Sequence, residues 1–418
     1  MNKKSVIAWC LYDWANSAFP TIVSTFIFST YFMQAVVQNT EQGTALWGNA
    51  MSLIGLIIAF ISPVIGAIAD QSGRHKVWLF FFSFLCILAT GGLWFVRPNP
   101  NDINLALILV SLATIGFEMA TVFYNAMLLD LVPKTHVGRL SGWGWGCGYF
   151  GGLVCLLIAL FLFVMPDPSI LPLDKNASEH IRATFLLCMI WFAVFSLPIF
   201  LWVHEKKNKK TWNMKVVFQG LRTLKNTLYK LAHYKDIARF LLAKMIYIDG
   251  INTLFTFGGI FAAGSFGMSQ EEVLIFGILL NVTAGLGSLI FSWIDDFFGA
   301  KSTILFSLFM ILIIGFILLL VHEKVWFYIL ALSLGVFLGP VQSASRSFML
   351  RIVPSELVTE FFGLYALAGK ITSFLGPAIL AWVTYMYQSQ RMGMGTILLF
   401  FVLGIILLFL VKEPSASD

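Results

Sequence analysis

The sequence predicts an all-α integral membrane protein whose twelve transmembrane helices form two pseudo-symmetric six-helix bundles. Three observations lead there. The 418 residues are 59% hydrophobic and only 11% charged, whereas soluble domains carry roughly a quarter charged residues. Apolar runs of about 20 residues or more, enough for a helix to cross roughly 30 Å of hydrocarbon, recur from end to end between short polar breaks. Segments of the first half also reappear, in order, in the second.

Taken in order, the spans fall near 6–38, 44–69, 77–96, 103–132, 140–165, 183–203, 238–265, 271–295, 302–321, 325–352, 358–388 and 394–411. The opening MNKKSVIAWC has no small-residue cleavage site and its apolar run continues through residue 37, so it is read as a retained first span. All five cysteines (Cys10, Cys86, Cys147, Cys155, Cys188) lie in apolar runs without paired spacing or a neighbouring histidine, which argues against a disulfide or a metal site. No phosphate-binding glycine loop, nucleophile elbow or metal-helix signature occurs. The sequence therefore predicts no enzyme, no cofactor and no metal, and no means of coupling ATP hydrolysis to work.

Lysine and arginine set the orientation. With both termini in the cytoplasm, the cytoplasmic segments hold about 18 of them: Lys3, Lys4, Arg74, Lys76, Lys134, Arg139, nine between 204 and 236, Lys301, Arg351 and Lys412. The opposite face holds about five: Arg97, Lys175, Arg182, Lys324 and Arg391. The net charge of +6 is thus a topology signal and gives no reason to invoke nucleic acid. Residues 204–236 form the one long cytoplasmic connection between 1–203 and 237–418. In it Met214, Val217, Leu221, Leu224, Leu228 and Leu231 recur at helical spacing, as in a basic amphipathic helix at a membrane surface. It reads either as a linker docked under the helix ends or as a regulatory, partner-binding segment.

Three stretches carry the duplication. YDWANSAF (12–19) matches IDGINTLF (248–255); GAIADQSGRHK (66–76) matches SWIDDFFGAKS (292–302); and NAMLLDLVPKTHVGRLSGWGWGCGY (125–149) matches RSFMLRIVPSELVTEFFGLYALAGK (346–370). Two like halves in the same orientation imply a parallel repeat about an axis along the membrane normal, with a binding site between them.

GAIADQSGRHK resembles the signature loop of the major facilitator superfamily, with Asp, Gly three residues on, and then basic residues. Within it, LYDWANSAF, GPVQSASRSFMLRIVP and EFFGLYALAGKITSFLGP resemble the group of vacuolar amino-acid effluxers and their bacterial relatives. The resemblance implies a major facilitator fold and a secondary active transporter working by alternating access, with amino acids as substrates. The fifth span, GWGWGCGYFGG, lacks the Gly-Pro pair of the superfamily's antiporters, which weighs against drug/proton exchange. The expectation is a monomer in a bacterial inner membrane that moves a small polar solute with protons. Its rivals are an exporter or importer of drugs, metabolites or siderophores, and a non-transporting receptor.

The loop motif also has a physical reading. An acid at the cytoplasmic end of one helix can accept hydrogen bonds from the N-terminus of another and favour its positive dipole end. Gly66, Asp70, Gly73, Arg74, Asp296 and Gly299 are the gating candidates on this ground; the alternative is a tight, solvated turn. Charges inside spans are costly, at least about 2.5 to 3.5 kcal/mol each, and so face a cavity or a partner. Asp13 and Asp249 each carry an asparagine at i+3, Asn16 and Asn252, and pair with one another through the repeat. They suggest two polar faces, or acids fixed to neighbouring helices.

Glu118 in span four, on one helical face with Thr114, Thr121 and Asn125, has Gly339 as its repeat counterpart, so the duplication does not account for it. It is a candidate proton carrier, a receptor for a substrate amine, or half of a fixed ion pair; Asp13 or Asp249 could carry the proton instead. Arg346, one turn after Gln342, and Lys370, opposite Tyr149 by repeat, could hold an anionic group or form internal pairs. Lys244 is expected to snorkel to the interface. Tyr12, Trp14, Tyr124 and Trp145 neighbour these polar positions and serve as either pathway or packing. Glycines such as Gly144 and Gly148 read as close-packing positions.

Overall fold

In the computed structural model the described residues are 2–166, 171–204, 222 and 234–412, without the side chains at 40, 41, 270 and 271. The stripe expected from Met214 to Leu231 lies outside them. Among the described residues there is no strand, and twelve helical stretches are long and apolar enough to cross a membrane. They are span 1 (Lys3–Val36), span 2 (Gln42–Ser72), span 3 (His75–Phe95), span 4 (Pro100–Leu131), span 5 (Lys134–Val164) and span 6 (Glu179–Trp202). Spans 7 to 12 follow at Lys235–Phe266, Glu272–Phe298, Ala300–Leu320, Lys324–Ile352, Ser355–Tyr387 and Gln390–Phe409. Each lies within a few residues of its expected place.

The ends of the spans follow from local chemistry. Gly73, between spans 2 and 3, and Gly299, between spans 8 and 9, adopt φ of +61° and +91°, a region that a Cβ penalises. The two glycines matched by the repeat thus meet one backbone need. Span 8 opens on a capping box, in which the Ser269 hydroxyl accepts from Glu272 N–H at 3.2 Å and the Glu272 carboxylate accepts from Ser269 N–H at 2.8 Å.

Spans 1 and 11 depart from the unbroken helices expected of them. Span 1 is α-helical over Lys3–Asn16 and then winds through π-helical turns at Pro20–Phe26 and Phe32–Val36. Pro20 has no N–H to continue the ladder, and the wider turns accommodate that loss. Span 11 consists of two helices, 11a (Val358–Lys370) and 11b (Leu375–Tyr387), joined by a turn at 371–374. Pro377 falls in the first turn of 11b, where its missing N–H costs no helical bond.

Packing gathers the chain into two compact units. The first comprises Met1–Ile58, Gly73–Met127 and Cys147–Lys209; the second comprises Ala59–Ser72, Leu128–Gly146 and Lys210–Asp418. Stretches 59–72 and 128–146 of the first repeat therefore pack with residues of the second. In the first unit, Trp9 stacks on Tyr124 with centroids 4.3 Å apart, and Tyr12 stacks on the other side of Tyr124 at 4.9 Å. In the second unit Phe240 meets Phe348 at 4.7 Å and Phe266 meets Phe327 at 4.4 Å. Large apolar side chains such as Phe60, Phe81, Phe297 and Phe309 lie exposed on the outside, as a hydrocarbon surrounding demands.

Candidate functional site

Within the second unit, Asp70 at the end of span 2 accepts hydrogen bonds from the backbone N–H groups of Thr359 at 3.2 Å and Glu360 at 2.8 Å. These are the second and third residues of 11a, whose N–H groups have no partner within their own helix. The carboxylate also meets the positive end of the helix dipole. Gly66, one turn earlier, is what lets the helices meet, since a Cβ there would lie 2.5 Å from the Thr359 carbonyl oxygen. Asp296 stands at the matching place against span 5: its carboxylate lies beside Gly138 and Arg139, the second and third residues of the helix Val137–Ile158. The repeat matches Asp70 with Asp296, Gly138 with Thr359, and Arg139 with Glu360. One latch thus occurs twice, with the roles of the repeats exchanged.

The second latch is the richer one. Arg139 pairs with Asp296 at 3.6 Å, and Arg351 of span 10 reaches both Asp295 at 2.8 Å and Asp296 at 3.4 Å. The Ser347 hydroxyl donates to Asp295, which is 2% exposed and lies directly over Gly138, where a Cβ would come within 2.5 Å of its carboxyl carbon. Nearby, Arg346 donates to the Ser141 hydroxyl at 2.9 Å and its carbonyl at 2.6 Å, and its guanidinium lies over Trp145. Arg346, which the sequence leaves open to an anionic group or an internal partner, is bound to Ser141 of span 5 in this conformation. Sequence reasoning missed Asp295, Arg139 and Ser141; the doubled acid Asp295–Asp296, where the first repeat has Ala69–Asp70, was the available signal. Arg74 lies half-buried beside Gly73.

In the first unit, Asp13 is half-buried and Asn16 buried on the stretch of span 1 that packs against glycines of span 5. A Cβ at Gly148 would lie 2.6 Å from the Ser17 hydroxyl, and one at Gly151 would lie 2.3 Å from the Trp14 carbonyl oxygen. Close packing is thus the role of Gly148, as expected. Tyr12 and Tyr124 are fully buried packing residues: Tyr12 is 2.6 Å from the Ser83 hydroxyl, and Tyr124 OH donates to the Trp9 carbonyl at 3.1 Å. That cluster fixes span 1 on span 4, the helices carrying Asp13 and Glu118. Trp14 stacks with Trp191 at 5.8 Å. Glu118 and Tyr149 are half-buried and Asn125 is buried.

In the second unit the polar residues of span 7 gather at the break in span 11. Asp249, 1% exposed, accepts from Gly376 N–H of 11b at 3.1 Å, and Thr372 in the turn donates to the Met245 carbonyl at 3.4 Å. Lys244 does not snorkel. It is 4% exposed, donates to the Tyr365 carbonyl at 2.9 Å and lies over that residue's ring at 3.4 Å, because a carbonyl and an aromatic face inside the protein satisfy the ammonium. Asn252 is exposed, so Thr253, fully buried, is the residue that shares the inner face with Asp249. Gln342 and Lys370 are half-buried. Among the described residues no cluster could hold a metal ion.

A family model described as "Vacuole effluxer Atg22 like" matches residues 44–138 and 133–417. A transporter of Bacillus subtilis (strain 168), YxiO, described as an uncharacterized MFS-type transporter, is 28% identical over 98% of this chain and 95% of its own length. Autophagy-related protein 22-1 of Penicillium rubens is 26% identical over 60% of this chain and 45% of its own. The chain thus spans less than half of the fungal relatives it matches there. Among solved structures, the major facilitator transporter FucP in the outward conformation superposes with a TM-score of 0.77 at 14% identity, covering 99% of both chains. The proton:xylose symporter XylE superposes at 0.69 and 15% identity over 98% and 95%.

Proposed function

We propose, from the premise that this chain belongs to the vacuole effluxer Atg22-like family of major facilitator transporters, that it carries a small zwitterion, an amino acid or close relative, by alternating access coupled to protons. The observation that carries the alternating-access reading is the reciprocal latch. Asp70 accepts from backbone N–H groups of 11a, and Asp296 lies at the matching helix start of span 5 and pairs with Arg139. Such contacts hold one conformation and are released as a unit in another. The lysine- and arginine-rich loops support a cytoplasmic latch end and cytoplasmic termini in a bacterial cell, and a monomer is the proposed working unit.

The first unit carries acids within its spans at Asp13 and Glu118, and the second a cation at Lys370. A chain with intramembrane charges of both signs is compatible with a solute that has an ammonium and a carboxylate. Discontinuous helices such as spans 1 and 11 are where transporters of this general kind gather solute and ion. Glu118, an acid the repeat does not explain, is the proposed proton carrier.

The test is uptake of labelled amino acids into proteoliposomes of the purified protein, with and without an inward proton gradient, beside Glu118→Gln. Gradient-driven accumulation of one amino acid, lost in the variant, is the expected result. Uptake that ignores the gradient removes proton coupling, and no uptake of any amino acid by folded protein removes the substrate class.

A further inference from the structure

We propose that Asp249 is a proton-binding site whose occupancy controls the joint between span 7 and helix 11b. Its use in transport rests on the proton-coupled reading above, but its test needs no transported solute.

The joint is made by one residue on each side. Asp249 Oδ2 accepts from Gly376 N–H at 3.1 Å, while Oδ1 is enclosed and has no hydrogen-bond partner among the described residues. Gly376 is the second residue of 11b, so the carboxylate occupies the positive end of a half-helix. Only glycine permits this approach. A Cβ at 376 would lie 2.0 Å from the Thr253 hydroxyl and 3.1 Å from Asp249 Oδ1, which places both oxygens against the first turn of 11b. A carboxylate this deep, with one neutral donor, is under-compensated as an anion. A single proton on Oδ1 removes the charge at once, whereas a metal cation would need several oxygen ligands.

A cavity opens on the same two helices. One to two turns beyond the joint, Phe257 and Phe261 of span 7 and Leu380, Ala381 and Thr384 of 11b line a space of about 500 Å³ that reaches Gln388 and Ser389 in the following loop. The Thr384 hydroxyl in it has no hydrogen-bond partner among the described residues, so water entering there has a polar group to meet.

The other ionisable groups nearby are committed elsewhere. On span 7, Lys244 is held by Tyr365 and Tyr247 lies 2.6 Å from the Ser345 hydroxyl. Helix 11a carries Glu360 in its first turn, at the end away from the joint, Tyr365 under Lys244, and Lys370 at the edge of the turn. Helix 11b has no ionisable side chain before Tyr385, and span 12 has only Arg391, bound to the Leu319 and Val321 carbonyls at 2.9 and 2.7 Å. From span 10, Arg346 goes to Ser141 and Arg351 to Asp295, while Lys324 pairs with Glu272 of span 8 at 2.6 Å. Asp295 and Asp296 of span 8 belong to the second latch. Asp249 is the acid at the joint, and Lys370 ends 11a beside the turn.

When ionised, Asp249 pins 11b to span 7 through a charge-assisted bond and the helix dipole. When protonated on Oδ1 it keeps only a neutral acceptor at Oδ2 and loses the attraction between its charge and the helix dipole, which frees 11b to swing about 371–374. The test is hydrogen–deuterium exchange of the full-length protein at acidic and alkaline pH, corrected for the intrinsic rate, in wild type, Asp249→Asn and Glu118→Gln. The amides of 375, 376, 378 and 379 in wild type should lose about tenfold in protection on acidification, about 1.4 kcal/mol. In Asp249→Asn they should be weakly protected at both pH values, and Glu118→Gln should behave as wild type. Equal protection of the wild type at both pH values, a step that survives in Asp249→Asn, or a step driven by sodium ions at constant pH would each overturn the proposal. Should Asp249→Asn fail to fold, infrared difference spectra of wild type labelled with ¹³C-aspartate decide: a titrating, enclosed aspartic acid band supports the site and its absence overturns it. A pH step without proton-driven uptake would leave the site standing and remove the coupling reading instead.

Discussion

The two latches agree in position and differ in side chains. Asp70 accepts from the second and third N–H groups of a helix from the other repeat, and Asp296 lies against the matching two residues of span 5. Around Asp70 the preceding residue is Ala69, fully buried. Around Asp296 the preceding residue is Asp295, which gathers Arg351 and Ser347, and Arg139 adds a further charge. A contact written in main-chain N–H groups survives duplication because it needs only one acid and a helix start. A contact written in side chains is free to diverge, and the second latch sets Arg351 against Asp295 and Arg139 against Asp296. The first should therefore depend on its single acid, and the second should be redundant.

Asp70→Ala is the largest test of that difference. Two hydrogen bonds to an ionised acceptor are worth about 2–3 kcal/mol together, so the protection of the Thr359 and Glu360 amides should fall by roughly 30- to 150-fold, with the initial uptake rate falling in parallel. Next comes Gly138→Ala, whose Cβ would stand 2.5 Å from the Asp295 carboxyl carbon. Overpacking of this kind costs about 1–2 kcal/mol, read as a lower melting temperature. Asp296→Ala should cost less than its counterpart, about 1 kcal/mol, because Asp295 keeps Arg351; the amides of Gly138 and Arg139 should lose roughly fivefold in protection. Losses equal to those of Asp70→Ala would break the comparison and show that Asp295 carries no share. Ser347→Ala is the smallest, about 0.5–1 kcal/mol, seen only in thermal unfolding. A Ser347→Ala effect as large as that of Asp296→Ala would move the weight of the latch from the backbone cap to span 10.

How legible these features were depended on their range. The acid-to-helix contact of Asp70 was readable because a short loop motif of acid, glycine and bases has one obvious use at a helix end, and its repeat doubled the signal. Asp295 was visible as the second letter of an acid pair but had no counterpart to flag it. Lys244 was misread as snorkelling, because its position near the start of span 7 says nothing of the Tyr365 carbonyl 121 residues away. The break in span 11 was hinted at by Gly376–Pro377, yet the hydropathy of 358–388 runs straight through it. Tyr12 and Tyr124 sat beside polar residues in sequence and turned out to face each other in the core.

By itself the sequence determined the solvent, the number of spans, the duplication and the acids at the loop ends. Those follow from composition and from short periodic patterns, whose free energies of burial are set residue by residue. Tertiary structure alone decided which polar groups meet: Asp70 with an amide 289 residues away, Arg346 with Ser141 205 residues away, and Asp249 with Gly376 across a break in a helix. The rotation and register of one packed helix against another select those partners, and an apolar run, alike on every face to a hydropathy count, carries no mark of either.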